Sequence, residues 1–165
     1  MLQKGHSKAQ TNAIAEYIGV NPTKFKALVE VYLRGPYRIT QRAAWPLSIC
    51  VERKPGLIYP HLKKVLDFLQ KPDIHDAVKR NTMRLLQFIE IPKRFQGQVV
   101  DQCFQYIQNP KVAVAIRVCS MTVLSRIIKG QPDLIKEFKI VLEDQLPYGS
   151  PAFTSRARKI MQEMP

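Results

Sequence analysis

The sequence has no apolar stretch near the roughly 20 residues that a membrane-spanning helix requires. Its longest apolar runs, such as residues 112–116, are bounded by Lys or Arg. The first residues also lack the apolar segment of a secretory signal. We therefore expect a cytoplasmic protein that makes no use of a membrane.

Cysteine and histidine are also scarce, and their spacing does not match that of a metal site. No cysteine has a second Cys or His at ligand spacing, and no two histidines lie four residues apart. No nucleophile elbow, glycine-rich phosphate loop or dinucleotide-binding motif occurs. We expect no catalytic residue, no metal and no cofactor. The three cysteines and three histidines are Cys50, Cys103, Cys119, His6, His61 and His75.

Acidic residues are few, with 13 Asp and Glu against 26 Lys and Arg, and the formal net charge is +13. Such a charge attracts polyanions over a distance of several ångströms, and added salt weakens the attraction. The position of the excess charge along the chain decides what it can bind.

Proline and glycine divide the apolar segments into helices. Asn21 and Pro22 have the character of a helix start, and Gly35 that of a helix end. Leu62, Val65, Leu66 and Leu69 follow the spacing of one helix face, and no segment alternates as a strand does. The pattern predicts nine helices, over residues 8–18, 22–34, 38–53, 56–70, 75–91, 93–108, 111–129, 132–146 and 152–163.

The prolines that separate the predicted helices recur along the chain with a period near 38 residues. Pro36, Pro72, Pro110 and Pro151 lie 36, 38 and 41 residues apart. A period of this length predicts stacked helix pairs, because a single pair cannot bury its own apolar face. We expect one domain over residues 1–165, with a capping helix (8–18) and four helical hairpins (22–53, 56–91, 93–129 and 132–163).

Residues 60–86 resemble a HEAT repeat of the armadillo-like class. The segment has a proline in its outer helix at Pro60, a turn aspartate at Asp73, and the pair Lys79-Arg80 early in its inner helix. The resemblance implies an all-α fold, a right-handed α-α superhelix or solenoid. Arginines at a similar spacing of 38, 37 and 39 residues extend the pattern to Arg42, Arg117 and Arg156.

In this arrangement the inner helices are 38–53, 75–91, 111–129 and 152–163, and the outer helices are 22–34, 56–70, 93–108 and 132–146. The inner helices and their ends hold most of the excess charge, with 14 basic and four acidic residues against nine and seven on the outer helices. Pairs four residues apart, such as Arg80 and Arg84, can present two guanidinium groups to neighbouring phosphates. Trp45 could stack on a base or pack in the core. The predicted binding residues are Arg38, Arg42, Trp45, Lys79, Arg80, Arg84, Arg117, Arg156, Arg158 and Lys159.

These features predict a non-catalytic binding module whose basic concave face holds an acidic macromolecule, of which DNA or RNA is the most natural choice. One alternative is a protein–protein adaptor. A second alternative is an enzyme similar to the DNA-alkylation repair glycosylases, which use HEAT-like repeats with a basic face. Here only Trp45 resembles that family's aromatic site, and no Asp accompanies it on its helix, so the site would be degenerate.

Overall fold

A computed structural model of the chain describes residues 2 and 7–165. Those residues form helices, turns and loops and contain no β-strand. The α-helices are α1 (Lys8–Ile18), α2 (Pro22–Arg34), α3 (Tyr37–Arg53), α4 (Leu62–Leu69), α5 (Asp76–Leu86), α6 (Lys93–Gln108), α7 (Val114–Ile127), α8 (Pro132–Gln145) and α9 (Pro151–Glu163). Short 3-10 helices cover Pro55–Leu57, Tyr59–His61 and Leu146–Tyr148. The predicted all-α class is confirmed.

Local capping explains why several helices begin where the sequence predicts. The side chain of Asn21 accepts hydrogen bonds from the backbone N–H groups of Thr23 and Lys24, both at 3.0 Å. Asn21 therefore satisfies two donors that a helix start would otherwise leave open. Helices α1, α2 and α6 have the predicted bounds.

Three predicted helices are shorter than expected by at least five residues. The segment predicted over 56–70 starts with two 3-10 turns and becomes α-helical only at Leu62, because Pro60 restricts the residue before it. The segment predicted over 75–91 spans Asp76–Leu86, since the chain turns before Pro92. The segment predicted over 111–129 begins at Val114, after a turn that follows Asn109.

The chain divides into two compact units, Met1–Glu90 and Ile91–Pro165. In the first unit α3 packs against α1, α2 and α5, and α4 packs against α2 and α5. In the second unit α7 packs against α6 and α9, and α8 packs against α6. Each unit thus has inner helices (α3 and α5, or α7 and α9) and outer helices (α2 and α4, or α6 and α8). A single domain over residues 1–165 stays a prediction.

Each unit has its own apolar core. Phe25, Tyr32 and Leu47 are fully buried in the first unit, and Phe138 and Phe153 in the second. Of the fifteen residues that helical periodicity assigns to the core, twelve are buried, namely Leu47, Leu62, Leu66, Leu69, Leu85, Leu86, Phe104, Ile107, Val123, Leu124, Phe138 and Leu142.

The other three predicted core residues, Ile49, Phe88 and Ile127, are only half-buried. In α3 the buried face contains Leu47, Cys50 and Val51. Ile49 lies one and two residues from these positions and points away from the centre of that face, because each residue turns a helix by about 100°.

Candidate binding surface on the inner helices

The inner helices carry most of the helical excess charge. Each of α3, α5, α7 and α9 has a net charge of +2, from eleven basic and three acidic side chains in total, which gives +8. The outer helices α2, α4, α6 and α8 together have nine basic and seven acidic side chains, which gives +2. The total of +8 is smaller than the +10 that the sequence predicts for these helices and their ends, because Lys54, Lys111, Lys129 and Glu90 lie outside the observed helices.

In the first unit, polar contacts join the two inner helices near both ends. The Gln41 amide nitrogen lies 3.3 Å from Nε2 of His75 at the start of α5. Near the other end, a guanidinium nitrogen of Arg84 donates to Oε2 of Glu52 at 2.8 Å. Helices α3 and α5 therefore run side by side in the same direction.

The strip between those two contacts includes Trp45 and Arg80. Trp45 follows Gln41 by four residues and Arg80 precedes Arg84 by four, so each lies on the same helix face as its contact residue. Trp45 is half-buried and Arg80 is exposed. Within the described residues, Arg80 and the exposed Arg38 form no hydrogen bond or ion pair, which leaves both guanidinium groups available to a partner.

Three other predicted binding residues of this unit have contacts inside the protein. Arg42 is half-buried and donates a 3.0 Å hydrogen bond to the carbonyl oxygen of Leu2. Lys79 pairs with Asp76 at 3.7 Å and exposes 26% of its side chain. Arg84 bonds to Glu52. A ligand that binds these three cations must compete with the existing contacts.

Arg117 is a structural residue of the second unit. It is only 6% exposed, and its guanidinium group donates to the carbonyl oxygen of Ile107 at 3.1 and 2.7 Å. It also donates to Oε1 of Gln145 at 2.9 Å and lies over the ring of Phe153. Burial lowers the pKa of Arg117 from its ordinary value. The expectation that Arg117 exposes its guanidinium group is wrong, because that group joins α6, α8 and α9 to α7.

The protein-family model of the HEAT repeat domain matches the chain over residues 1–164. The chain belongs to the HEAT repeat family. No curated protein and no solved structure matches it significantly.

The regular spacing of the arginines does not correspond to one position in these HEAT repeats. The residues that precede the inner helices are Pro36, His75, Ala113 and Ser150. Arg42 and Arg156 are sixth after them, Arg80 is fifth and Arg117 fourth. Because one residue rotates a helix by about 100°, the four side chains leave their helices in three directions.

Counted in this way, the position of Arg117, fourth after the residue that precedes the helix, holds other residues in α3, α5 and α9. They are Thr40, Lys79 and Thr154. The Thr40 hydroxyl donates to the carbonyl oxygen of Gly35 at 3.0 Å, and the Thr154 hydroxyl to that of Gly149 at 3.4 Å. The first and last HEAT repeats therefore use a short hydroxyl group at a position where the third uses an arginine.

The last inner helix, α9, presents its own basic side chains. Arg158 is exposed and forms no hydrogen bond or ion pair within the described residues, and Arg156 is half-buried. Lys159 lies 3.9 Å from Glu163. Arg158 and Lys159 also line a shallow depression together with Thr154 and Ser155. The depression thus combines cations with hydroxyl groups, a set that binds phosphate oxygens well.

The cysteines of this HEAT repeat protein differ in burial. Burial raises the pKa of Cys50 to about 11 and also raises the pKa of the fully buried Cys103, so both thiols are protonated at neutral pH. Cys119 is half-buried. In the described part of the chain, no three His, Cys, Asp or Glu side chains are grouped as metal ligands. His6 lies outside the described residues.

The structure also bears on the predicted lack of a membrane-spanning helix, on Pro46 and on Arg117. No helix in the described part of the chain is long and apolar enough to span a membrane. Pro46 lies inside α3 and is buried, so a proline is accommodated within this inner helix without ending it. The structural role of Arg117 is not predicted by the sequence pattern. Arg117 does, however, lie in an otherwise apolar segment with no nearby acidic residue, which is a signal of burial.

Proposed function

We propose that this HEAT repeat protein binds the phosphate backbone of DNA or RNA through its inner helices. One observation carries the proposal: every inner helix has a net charge of +2, whereas the four outer helices together have only +2. HEAT repeat proteins commonly bind other macromolecules, and a strongly basic surface selects an acidic one. A cytoplasmic location is part of the same proposal.

The side chains suit phosphate better than base recognition. Arginine presents a planar fork that bonds two phosphate oxygens at once. The centres of neighbouring packed helices lie about 8–10 Å apart, so Arg38 on α3 and Arg80 on α5 can contact separate phosphates of one strand. Contacts of this kind hold the backbone and carry no sequence information. We therefore expect similar affinity for unrelated sequences.

Two alternatives stay open under this proposal. A protein–protein adaptor is favoured by strongly exposed apolar residues, of which Tyr148 (82% exposed) is the most prominent. An activity like that of the DNA-alkylation repair glycosylases has less support. Trp45 is half-buried, and the only acidic residue of α3 is Glu52, which bonds to Arg84.

A salt titration tests the proposal directly. The full chain is titrated against fluorescein-labelled single-stranded and duplex oligonucleotides of two unrelated sequences, with anisotropy as the readout. If four phosphates of a duplex are neutralised, Kd should rise about 100-fold between roughly 50 and 200 mM salt. Equal Kd values for both sequences support backbone binding. Absence of binding at the lower salt concentration overturns the proposal and favours the adaptor.

A further inference from the structure

A second surface lies on the outer helix α8 and has the opposite charge. Asp133, Glu137, Ile140 and Asp144 occupy positions i, i+4, i+7 and i+11, which form one stripe along a helix. Tyr148 follows in the 3-10 turn Leu146–Tyr148. All five side chains are exposed, with Ile140 at 66% and Tyr148 at 82%. We call these five residues the α8 stripe.

The carboxylates of the α8 stripe are not neutralised by the lysines of the same helix. The sequence pattern predicts an ordinary salt-bridged face with Lys136 and Lys139. Within the described residues, however, no acidic residue of α8 has an ion pair, and Lys139 donates to the carbonyl oxygen of Pro165 instead. Asp144 accepts only a 3.2 Å bond from the neighbouring Gln145 amide. Helix α8 has a net charge of −2 in a chain whose net charge is +13.

The two apolar members of the stripe have no role in the core. Phe138 and Leu142, on either side of Ile140 in sequence, are fully buried, so the opposite face of α8 already provides the packing. Tyr148 lies at the end of a turn that packs closely onto α9: a Cβ on Gly149 would lie 2.7 Å from the Phe153 ring. Exposed aliphatic and aromatic groups with a polar border are typical of protein interfaces, and tyrosine is enriched among the residues that contribute most to the binding energy.

We propose that the α8 stripe docks a basic amphipathic helix of another protein. Lysines or arginines of that helix would pair with Asp133, Glu137 and Asp144, and its apolar side chains would cover Ile140 and Tyr148. Charge complementarity selects this partner, because the carboxylates lack cations of their own and repel nucleic acid. The apolar pair then supplies the affinity. This proposal does not depend on nucleic acid binding, since it concerns an outer helix.

The test uses a defined probe, a fluorescein-labelled 18-residue peptide of leucine and lysine with its leucines on one helical face. The variants are Ile140→Ser/Tyr148→Ser and Glu137→Lys/Asp144→Lys. The matched controls are Val20→Ser/Tyr37→Ser, whose side chains are 69% and 62% exposed, and Glu16→Lys/Asp101→Lys, which replaces exposed acids elsewhere. We expect each stripe variant to raise Kd about tenfold or more, and each control to change it less than about twofold.

Three results would overturn the proposal. The first is that the wild type does not bind the peptide. The second is that the control variants weaken binding as much as the stripe variants do, which would indicate attraction by overall charge. The third is concentration-dependent self-association in sedimentation velocity that Ile140→Ser/Tyr148→Ser abolishes, which would assign the stripe to a second copy of this chain. Circular dichroism verifies folding, and if the serine variant fails to fold, the lysine variant alone decides.

Discussion

The guanidinium carbon of Arg117 lies 4.1 Å from the centroid of the Phe153 ring, while the same group donates to the carbonyl oxygen of Ile107. Lysine cannot reproduce this planar stacking together with several hydrogen bonds. We expect Arg117→Lys to lower the free energy of unfolding by about 1–3 kcal/mol, because buried acceptors lose their donor. Urea unfolding measures the change. Arg158→Lys, at an exposed position, is the control and should change stability by less than about 0.5 kcal/mol.

Alanine substitution at two glycines should change the stability of the protein in opposite directions. Gly97 lies inside α6 with nothing within 4 Å of an added Cβ, so Gly97→Ala should stabilise the protein by about 0.5–1 kcal/mol. At Gly35 an added Cβ would lie 2.5 Å from the carbonyl oxygen of Val31, so Gly35→Ala should cost about 1–3 kcal/mol. Thermal melts of both variants measure the signs. Stabilisation by Gly35→Ala would contradict the close approach.

Charge reversal on the inner helices should weaken nucleic acid binding. Arg38→Glu/Arg80→Glu should raise Kd by about tenfold or more and reduce the slope of log Kd against log salt by about two. The control Lys26→Glu/Lys93→Glu makes the same charge change at exposed positions of α2 and α6. Anisotropy with the labelled oligonucleotides measures both. Equal weakening by the two double variants would show that overall charge, and not the inner surface, determines affinity.

Stability should fall in mildly acidic solution because of His61. Burial, and secondarily the charge of Lys64, lowers the pKa of His61 below its ordinary value of 6.5, although Glu30 opposes the shift. The unfolded chain therefore takes up this proton at a higher pH than the folded chain does. The contribution is complete above about pH 6.5 and is lost as the pH falls through the folded pKa. Urea midpoints between about pH 7.5 and 5.5 should decline less steeply in His61→Gln than in the wild type.

Large-to-small substitutions should identify the buried faces of the helices. Leu66 and Leu86 are 2% and 1% exposed, so Leu66→Ala and Leu86→Ala should each cost about 2–5 kcal/mol. Ile140→Ala, at a position that is 66% exposed, provides the comparison and should cost less than about 0.5 kcal/mol. Chemical denaturation measures all three. A loss of stability below about 0.5 kcal/mol at both leucines would show that these side chains do not lie on the buried faces of their helices.

The sequence predicts most of the fold because the signals that start and stop these helices are local. Asn21 caps α2 with its own side chain, and Gly35 follows the last residue of α2. The end of α5 was harder to predict. Apolar residues continue through Phe88 and Ile89 after the helix stops at Leu86, so periodicity provides no boundary there. The chain leaves the helix through tighter turns, in which the N–H groups of Gln87 and Phe88 donate to the carbonyl oxygens of Arg84 and Leu85, both at 3.1 Å.

The binding site is less predictable, because sequence spacing does not determine the direction of a side chain. Arg80 and Arg117 are 37 residues apart and look equivalent. Counted from the start of each helix they differ by one position, and one is exposed while the other is buried. Tertiary contacts also determine which basic side chains are available to a ligand. Arg84 pairs with Glu52 on another helix, at a separation of 32 residues that no local pattern reveals.

The division of the chain into two compact units has a consequence for its synthesis. Helices that are neighbours in sequence pack together, such as α2 with α3 and α6 with α7, and each inner helix packs against the next inner helix of its unit, so the cores form from contacts within and between adjacent repeats. Such topologies fold rapidly because no long loop must close first. The unit Met1–Glu90 has its own buried residues. It can therefore fold while the ribosome is still adding the last repeats. The apolar side chains of the first helices are then buried early, which limits their exposure to chaperones and to aggregation.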